Sequence, residues 1–217
     1  MSAAYFDLDG TLADTRADLC ATVNHVRRDF GLGSLPEAEV LAHVGLGAAR
    51  LLAGAIPELA DRPEEARERF MARYAEHALE SVVLYPGVAA TLKTLAERGW
   101  ILGVNTAKPA FATRAILEKT GIAQFFGDAV VAGGDCPEMK PSALPLLECA
   151  RRAGAGHPGR GDWMVGDNWT DVECAANAGV RSIFCEFGFG RRGDSRPDAT
   201  VRSFGEIADV LGHPAEQ

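Results

Sequence analysis

Two aspartates near the start of the chain are the residues best suited to chemistry. Asp7 and Asp9 follow a short apolar run and lead directly into Gly10. Residues two apart on a strand point to the same face, with their α-carbons about 7 Å apart. Both carboxylates can therefore contact one small ligand where the strand ends, which predicts an acidic reaction centre.

Further polar residues follow the later strands that we predict from the sequence. In an open parallel sheet the ligand site lies beyond the carboxyl ends of the strands. The residues after the predicted strands are Asn105, Thr106, Ala107 and Lys108 after the second, Gly133, Gly134, Asp135, Lys140 and Pro141 after the third, and Gly166, Asp167, Asn168 and Asp171 after the fourth. We therefore expect acids, a hydroxyl and an amine to meet at one edge of the sheet.

This combination of side chains indicates a site for Mg²⁺ and a phosphoryl group. Three crowded carboxylates raise one another's pKa unless a cation lies among them, and a hard divalent ion with oxygen ligands is the simplest solution. A hydroxyl and an ammonium group suit the oxygens of a phosphoryl group. Backbone N–H groups around Leu8 and Asp9 can supply further donors.

The segment from 14 to 85 has the pattern of helices alone. Apolar residues recur at spacings of three and four between Leu19 and Phe30, which predicts an amphipathic helix. Pro36 and Pro63 each stand at the start of a further predicted helix. We therefore expect an all-helical insert after the first strand.

From Pro86 onward, strand and helix patterns alternate. The predicted strands cover residues 100–104, 129–132, 163–165 and 181–185. Alternation of this kind, with apolar runs in place of a two-residue period, indicates a parallel sheet covered on both faces by helices. The predicted fold class is thus α/β, with a doubly wound parallel-sheet core.

The two patterns divide the chain into two predicted domains. Residues 1–13 and 86–217 form the α/β core domain, and residues 14–85 form an inserted α-helical cap domain. The linkers that join them, near 12–14 and 84–87, have the arrangement expected for a lid that hinges over a cleft.

Charge and composition exclude several classes of protein. The chain has 22 Lys and Arg against 30 Asp and Glu, a net charge of −8, which disfavours nucleic acid and anionic membranes as partners. It shows neither a signal-peptide pattern nor an apolar run of membrane-spanning length, so we expect a cytoplasmic protein, either a monomer or a homodimer. Five scattered cysteines without a C-x-x-C pair indicate reduced thiols.

Four short motifs resemble those of the haloacid dehalogenase superfamily. The motifs are Asp7-x-Asp9-Gly10-Thr11-Leu12-x-Asp14, Thr106, Lys140-Pro141 and Gly166-Asp167-x-x-x-Asp171. A helical insert directly after the first motif is similar to the helical-cap subclass of that superfamily. The run Gly133-Gly134-Asp135 ahead of the third motif is similar to its phosphoglycolate phosphatases, and the resemblance covers essentially the whole chain.

The resemblance implies a role for each motif residue. Asp7 would attack phosphorus and form an aspartyl-phosphate, while Asp9 would protonate the departing alkoxide and later deprotonate a water molecule. The catalytic candidates are therefore Asp7, Asp9, Thr106 and Lys140. The substrate-binding candidates are Thr106, Lys140, Gly10 and Lys108. The Mg²⁺ ligands would be Asp7, the backbone carbonyl of Asp9, and Asp167, with Asp171 and Asn168 in support.

The chain departs from the family pattern at two positions. Many relatives have Asn after the Thr of the second motif, where this chain has Ala107, and the third motif often has Pro where this chain has Ala143. Lys108 or Asn105 could compensate for the first change. Neither departure alters the nucleophile, the proton carrier, the metal ligand or the lysine.

The resemblance favours a Mg²⁺-dependent phosphatase for a small phosphorylated metabolite, with 2-phosphoglycolate as the favoured substrate. An inorganic pyrophosphatase, a nucleotide or sugar phosphatase and a phosphosugar mutase remain open, as does a catalytically silent protein that binds a phosphorylated ligand. The predicted cap decides among substrates, and its candidates for substrate contact are His43, Gly45, Gly47 and Arg50.

Overall fold

The computed structural model describes residues 2–77 and 79–214. Its strands are β1 (Ala3–Phe6), β2 (Ala13–Asp14), β3 (Val83–Leu84), β4 (Ile101–Pro109), β5 (Val130–Gly133), β6 (Trp163–Gly166), β7 (Arg181–Cys185) and β8 (Ala199–Val201). A six-stranded sheet has the order β5-β4-β1-β6-β7-β8, and every neighbouring pair in it is parallel. β1 lies between β4 and β6, so its carboxyl end opens at the centre of the sheet edge.

The helices follow the predicted grouping. They are α1 (Arg16–Asp29), α2 (Glu37–Leu41), α3 (Gly47–Ala55), α4 (Pro63–His77), α5 (Val88–Glu97), α6 (Ala110–Lys119), α7 (Leu144–Arg152), α8 (Trp169–Ala178) and α9 (Ile207–Leu211). The first four are consecutive, and the next four alternate with strands. This arrangement confirms the α/β class with a doubly wound parallel sheet. Across the described ranges, no helix has both the length and the apolar character to cross a membrane.

Both faces of the sheet are buried, which explains why its strands lack a two-residue period. Phe6 on β1 belongs to an apolar cluster with Leu92 of α5 and Ile207 of α9. Tyr5, the preceding residue, belongs to a second cluster that includes Leu146 of α7. Burial of each such side chain contributes about 1.5–3 kcal/mol, so β1 is held firmly from both sides.

The helices α1 to α4 share an apolar cluster, which Ala112 of α6 also joins. Val23 and Val26 of α1 pack in it with Leu52 of α3 and Phe70 of α4. The predicted apolar stripe of α1 therefore faces the other helices of this segment. The two domain boundaries inferred from the sequence stay a prediction.

A two-stranded antiparallel ribbon, β2 with β3, joins the two linkers between the helical segment and the rest of the chain. Ala13 is opposite Leu84, and Asp14 is opposite Val83. The ribbon is extended by a hydrogen bond of 3.2 Å from the Tyr85 N–H to the carbonyl of Leu12. The sequence analysis identified both linkers but did not predict that they pair.

Strand β4 is longer than the sequence predicts. The expected strand ended at Val104, whereas β4 continues to Pro109 with a register shift against β5 between Asn105 and Pro109. Its polar end therefore belongs to the strand itself, which places Thr106 and Lys108 at the sheet edge. Strand β8, an edge strand of three residues, was not predicted.

Candidate active site

Asp7 lies at the carboxyl end of β1, where the sheet holds its backbone and a lysine holds its carboxylate. Its N–H donates to the carbonyl of Val165 on β6 at 2.9 Å. Its Oδ1 accepts from the N–H of Leu8 at 2.7 Å and lies 3.0 Å from Nζ of Lys140. Asp7 is buried, so these partners keep its carboxylate in one orientation.

Gly10 allows a close approach that no other residue would permit. It has φ +80°, and a Cβ at this position would lie 1.9 Å from Oδ2 of Asp167. Backbone N–H groups of the same turn donate to the carbonyl of Leu8, so the chain folds back tightly after β1. Gly10 therefore brings the first and fourth motifs together.

Asp9 shares the turn with Asp7, but its carboxylate has different partners. Its Oδ1 accepts a hydrogen bond from Nζ of Lys108 at 2.7 Å and another from the hydroxyl of Thr15, also at 2.7 Å. The two aspartates are thus held by two separate lysines. Sequence reasoning missed Thr15, although a threonine directly before a predicted helix is a recognisable N-cap signal.

The end of β4 supplies Thr106 and Lys108 to the cleft. Thr106 is buried, and its Oγ1 accepts from the N–H of Lys108 at 3.3 Å. Burial opposes the charged form of Lys108, but Asp9 and Tyr74 together outweigh it, so the pKa of Lys108 lies above its ordinary value. Lys108 is therefore a charged group on the wall of the cleft.

Asn105 does not compensate for Ala107, contrary to one of the sequence-based expectations. The amide of Asn105 is fully buried and points to the sulfur atoms of Met164 and Cys174. Neighbouring residues of a strand face opposite sides, so Asn105 faces the core where Thr106 faces the cleft. Ala107 itself lines the cleft.

Lys140 is buried between two carboxylates. Its Nζ lies 2.6 Å from Oδ1 of Asp171 and 3.0 Å from Oδ1 of Asp7. Burial disfavours the ammonium form, but Asp171 and Asp7 outweigh that effect and hold the pKa of Lys140 above its ordinary value. Lys140 therefore links the third motif to the first and the fourth.

Asp171 and Asn168 together form the start of α8. Asn168 is the N-cap, and its Oδ1 accepts from the N–H of Thr170 at 3.4 Å, while its own N–H donates to Oδ2 of Asp171 at 3.0 Å. Asp171 thus has two structural tasks, because it caps the helix with one oxygen and holds Lys140 with the other.

Asp167, at the end of β6, is the carboxylate with the least favourable surroundings. It accepts hydrogen bonds from the N–H groups of Phe189 and Gly190, at 3.0 and 2.7 Å. Within the described residues it forms no salt bridge. Burial first, and then the charges of Asp7 and Asp171, raise the pKa of Asp167 well above its ordinary value. The sequence favours a loop beside the active site for residues 187–193, but it did not predict that the backbone of this loop donates to Asp167.

The three buried acids fit a hard divalent cation. One carboxylate oxygen from each of Asp7, Asp167 and Asp171 can be chosen so that all three lie within 4.8 Å of one another. These three negative charges face the single ammonium of Lys140, which leaves negative charge uncompensated. Carboxylate oxygens are the ligands that Mg²⁺ prefers, so the donor set suits Mg²⁺.

The helical segment covers this site with a mostly apolar wall. Its residues on the cleft are Leu19, Val44, Gly45, Gly47, Ala48, Leu51, Phe70 and Tyr74. Of the four residues singled out from the sequence, Gly45 and Gly47 line the cleft, whereas His43 and Arg50 line a neighbouring cavity with Arg191. Asn168 and Gly190 line both cavities, so contact of His43 or Arg50 with a substrate stays a prediction.

Comparisons with known proteins agree with this geometry. Residues 4–185 match a family described as haloacid dehalogenase-like hydrolase. A protein of Chromobacterium violaceum named phosphoglycolate phosphatase is 35% identical over 97% of this chain and 96% of its own length. A protein of Rhodospirillum rubrum with the same name is 36% identical over 98% of this chain and 91% of its own length.

The fold is also found among solved structures. A crystal structure described as a predicted phosphoglycolate phosphatase from Haemophilus somnus 129PT has a TM-score of 0.88 and 28% sequence identity, and covers 97% of both chains. The family match spans most of the chain and includes all four motifs. This protein therefore belongs to the haloacid dehalogenase-like hydrolase family.

Proposed function

We propose that this protein is a Mg²⁺-dependent phosphatase that hydrolyses 2-phosphoglycolate to glycolate and phosphate. The observation that carries the proposal is the environment of Asp7, a buried carboxylate 3.0 Å from the ammonium of Lys140 and beside two further acids. A carboxylate fixed beside an ammonium group in this way is suited to attack phosphorus. The choice of substrate is supported by the names of the relatives.

In the proposed reaction an oxygen of Asp7 attacks phosphorus while the bond from phosphorus to the glycolate oxygen breaks. Asp9 gives its proton to that oxygen, so glycolate leaves as an alcohol. Asp9 then removes a proton from water, the resulting hydroxide attacks phosphorus, and the bond to Asp7 breaks. Phosphate is released and both aspartates return to their starting states.

Other residues have binding roles in this proposal. Thr106 and Lys140 would donate hydrogen bonds to the phosphoryl oxygens, and Gly10 would let the turn after β1 approach Asp167 closely. Mg²⁺ would be held by Asp7, Asp167 and the backbone carbonyl of Asp9, and when bound it neutralises charge on the phosphoryl group. Asp171 would act through Lys140, which it holds at 2.6 Å.

The domain division inferred from the sequence is part of the proposal. Residues 14–85 would serve as the cap, and residues 1–13 with 86–217 as the catalytic core. The chemistry then comes from the core, and the apolar wall formed by α1, α3 and α4 limits the size of the group that leaves. A short leaving group such as glycolate fits this arrangement.

The proposal is tested by measuring kcat/KM with Mg²⁺ for a panel of phosphorylated compounds. The panel contains 2-phosphoglycolate, pyrophosphate, nucleoside monophosphates and sugar phosphates, and includes a phosphosugar mutase assay. We expect 2-phosphoglycolate to have the highest kcat/KM. A clearly higher kcat/KM for another compound would identify that compound, and not 2-phosphoglycolate, as the substrate. Binding without any turnover would indicate a regulatory protein.

The nucleophile is tested separately with the variant Asp7→Asn. We expect wild-type protein quenched in acid during turnover to carry one phosphoryl group on the peptide that contains Asp7, as measured by mass spectrometry. The variant should carry none and should release no phosphate. Wild-type activity in the variant would refute the assignment of Asp7.

A further inference from the structure

The hydroxyl of Tyr74 is a buried polar group in the cleft. Tyr74 lies on α4, has a relative exposure of 0% and lines the cleft. Its hydroxyl has no hydrogen-bond partner of normal geometry among the described residues, although the ammonium of Lys108 is close enough to offset part of the rise in pKa that burial causes. Buried polar groups in proteins nearly always have a partner, and Tyr74 lines the cleft, so a ligand bound in the cleft could supply that partner.

Lys108 provides a second donor beside this hydroxyl. Its Nζ lies 4.9 Å from the centre of the Tyr74 ring and 2.7 Å from Oδ1 of Asp9. An ammonium group has three hydrogen atoms to donate, and Asp9 takes one of them. Burial raises the pKa of Tyr74 to about 12, so its hydroxyl keeps its proton at neutral pH and can donate.

The remaining wall around these two donors is apolar. Of the described residues that the helical segment contributes to the cleft, Tyr74 alone has a polar side chain. Leu19, Leu51 and Phe70 supply surface that excludes water, and hydrogen bonds to a charged group are stronger in such surroundings. An anionic group on a ligand would therefore be bound at one defined place.

We propose that the ammonium of Lys108 and the hydroxyl of Tyr74 form a subsite for a carboxylate carried by the leaving group of the substrate. This inference rests on the proposed function, because protonation by Asp9 requires the leaving oxygen to lie beside Asp9. Lys108 is in direct contact with Asp9. A carboxylate one carbon away from the leaving oxygen, as in 2-phosphoglycolate, then falls within reach of both donors.

The subsite is tested with two substrates and one variant. Ethyl phosphate has a methyl group where 2-phosphoglycolate has its carboxylate. For Tyr74→Phe, we expect kcat/KM with 2-phosphoglycolate to fall about tenfold to a hundredfold, mainly through KM, as for loss of a hydrogen bond to a charged group. With ethyl phosphate, we expect kcat/KM to stay within about twofold of the wild type, because that substrate has no group to bind there.

Tyr5→Phe is the matched control. The hydroxyl of Tyr5 is also buried and without a partner among the described residues, but it lies in the core cluster with Leu146 and not on the cleft. We expect this variant to preserve the ratio of kcat/KM values for the two substrates. Thermal unfolding of both variants shows whether either change disturbs the fold.

The outcomes separate the two proposals. A selective loss with 2-phosphoglycolate in Tyr74→Phe supports the subsite. An equal loss with both substrates, or no loss with either, overturns the subsite and leaves the proposed function standing. Wild-type protein that does not hydrolyse 2-phosphoglycolate overturns the proposed function itself, and the subsite with it.

Discussion

Replacement of Asp167 by Asn should make the protein more stable without Mg²⁺ and remove its response to Mg²⁺. Asp167 is buried beside Asp7 and Asp171, and within the described residues no cation pairs with it. Asp171, in contrast, has Lys140 at 2.6 Å. The variant keeps an oxygen that can accept from the N–H groups of Phe189 and Gly190 but removes the buried charge, which is the unfavourable part.

The sign of the pH dependence follows from the raised pKa of Asp167. A carboxyl group whose pKa is higher in the folded state favours folding when it is protonated. It therefore lowers the stability of the folded state as the pH rises above about 4, which is the pKa of the group in the unfolded chain. Without metal, the gain in stability from Asp167→Asn should therefore be larger at about pH 8 than at about pH 5.

The size of the Mg²⁺ response follows from mass action. A ligand at a hundred times its Kd stabilises the folded state by about 2.7 kcal/mol. For a chain of 217 residues, each kcal/mol shifts the Tm by about 2–4 °C, so the expected rise is roughly 5–11 °C. The variant should show a rise of less than about 2 °C, because it lacks one of the two carboxylates that would hold the ion.

The assay is thermal unfolding by calorimetry, with EDTA and then with saturating Mg²⁺. Asp162→Asn is the matched control, since Asp162 is also a buried aspartate beside β6 but lies at the opposite end of the strand, where it accepts from the N–H groups of Ala3 and Gly159. The control should keep the full response to Mg²⁺. If Asp167→Asn lowers the metal-free Tm, or retains the wild-type response to Mg²⁺, the electrostatic reasoning is wrong.

Three further predictions concern other parts of the site. Gly10→Ala should abolish phosphatase activity and the Mg²⁺ response, because a Cβ there would lie 1.9 Å from Oδ2 of Asp167; wild-type kcat/KM would contradict this. Asp171→Asn should lower the free energy of unfolding, measured in urea, by about 3 kcal/mol, since it removes one partner of a buried ion pair. A loss below about 1 kcal/mol would show that Asp7 alone is enough to compensate the buried charge of Lys140. Arg50 lines the neighbouring cavity, so Arg50→Ala should keep kcat/KM within about twofold, and a tenfold loss would support contact of Arg50 with the substrate.

The core of the site could be predicted because topology requires it. Residues at the carboxyl ends of neighbouring parallel strands meet at one edge, so Asp7, Thr106 and Asp167 had to lie close together once their strands were recognised. Gly10 was a substrate-binding candidate, and the structure adds a steric reason for its presence. The orientation of Asn105 follows from the two-residue period of a strand, since Asn105 and Thr106 are neighbours on β4 and must face opposite sides. The sequence analysis did not extend this rule to Asn105.

The wall of the cleft could not be predicted in the same way. Phe70 and Tyr74 lie on α4 at a spacing of four and belong to the apolar cluster of the helical segment. An apolar stripe has the same pattern whether it packs on another helix or faces a cleft. Charged residues such as Arg50 were conspicuous in the sequence, yet which side of the helix faces the site depends on how the whole segment is placed over the core.

The β2–β3 ribbon has a mechanical consequence for the helical segment. Two independent linkers would each bend at their own dihedral angles and would allow the segment to tilt, twist and slide. Here Ala13 and Leu84 are paired, and the carboxylate of Asp18 holds the N–H of Ser81 at 2.9 Å on the far side of the ribbon. The two linkers are therefore hydrogen-bonded to each other, and we expect any movement of the helices relative to Asp7 to bend both linkers together.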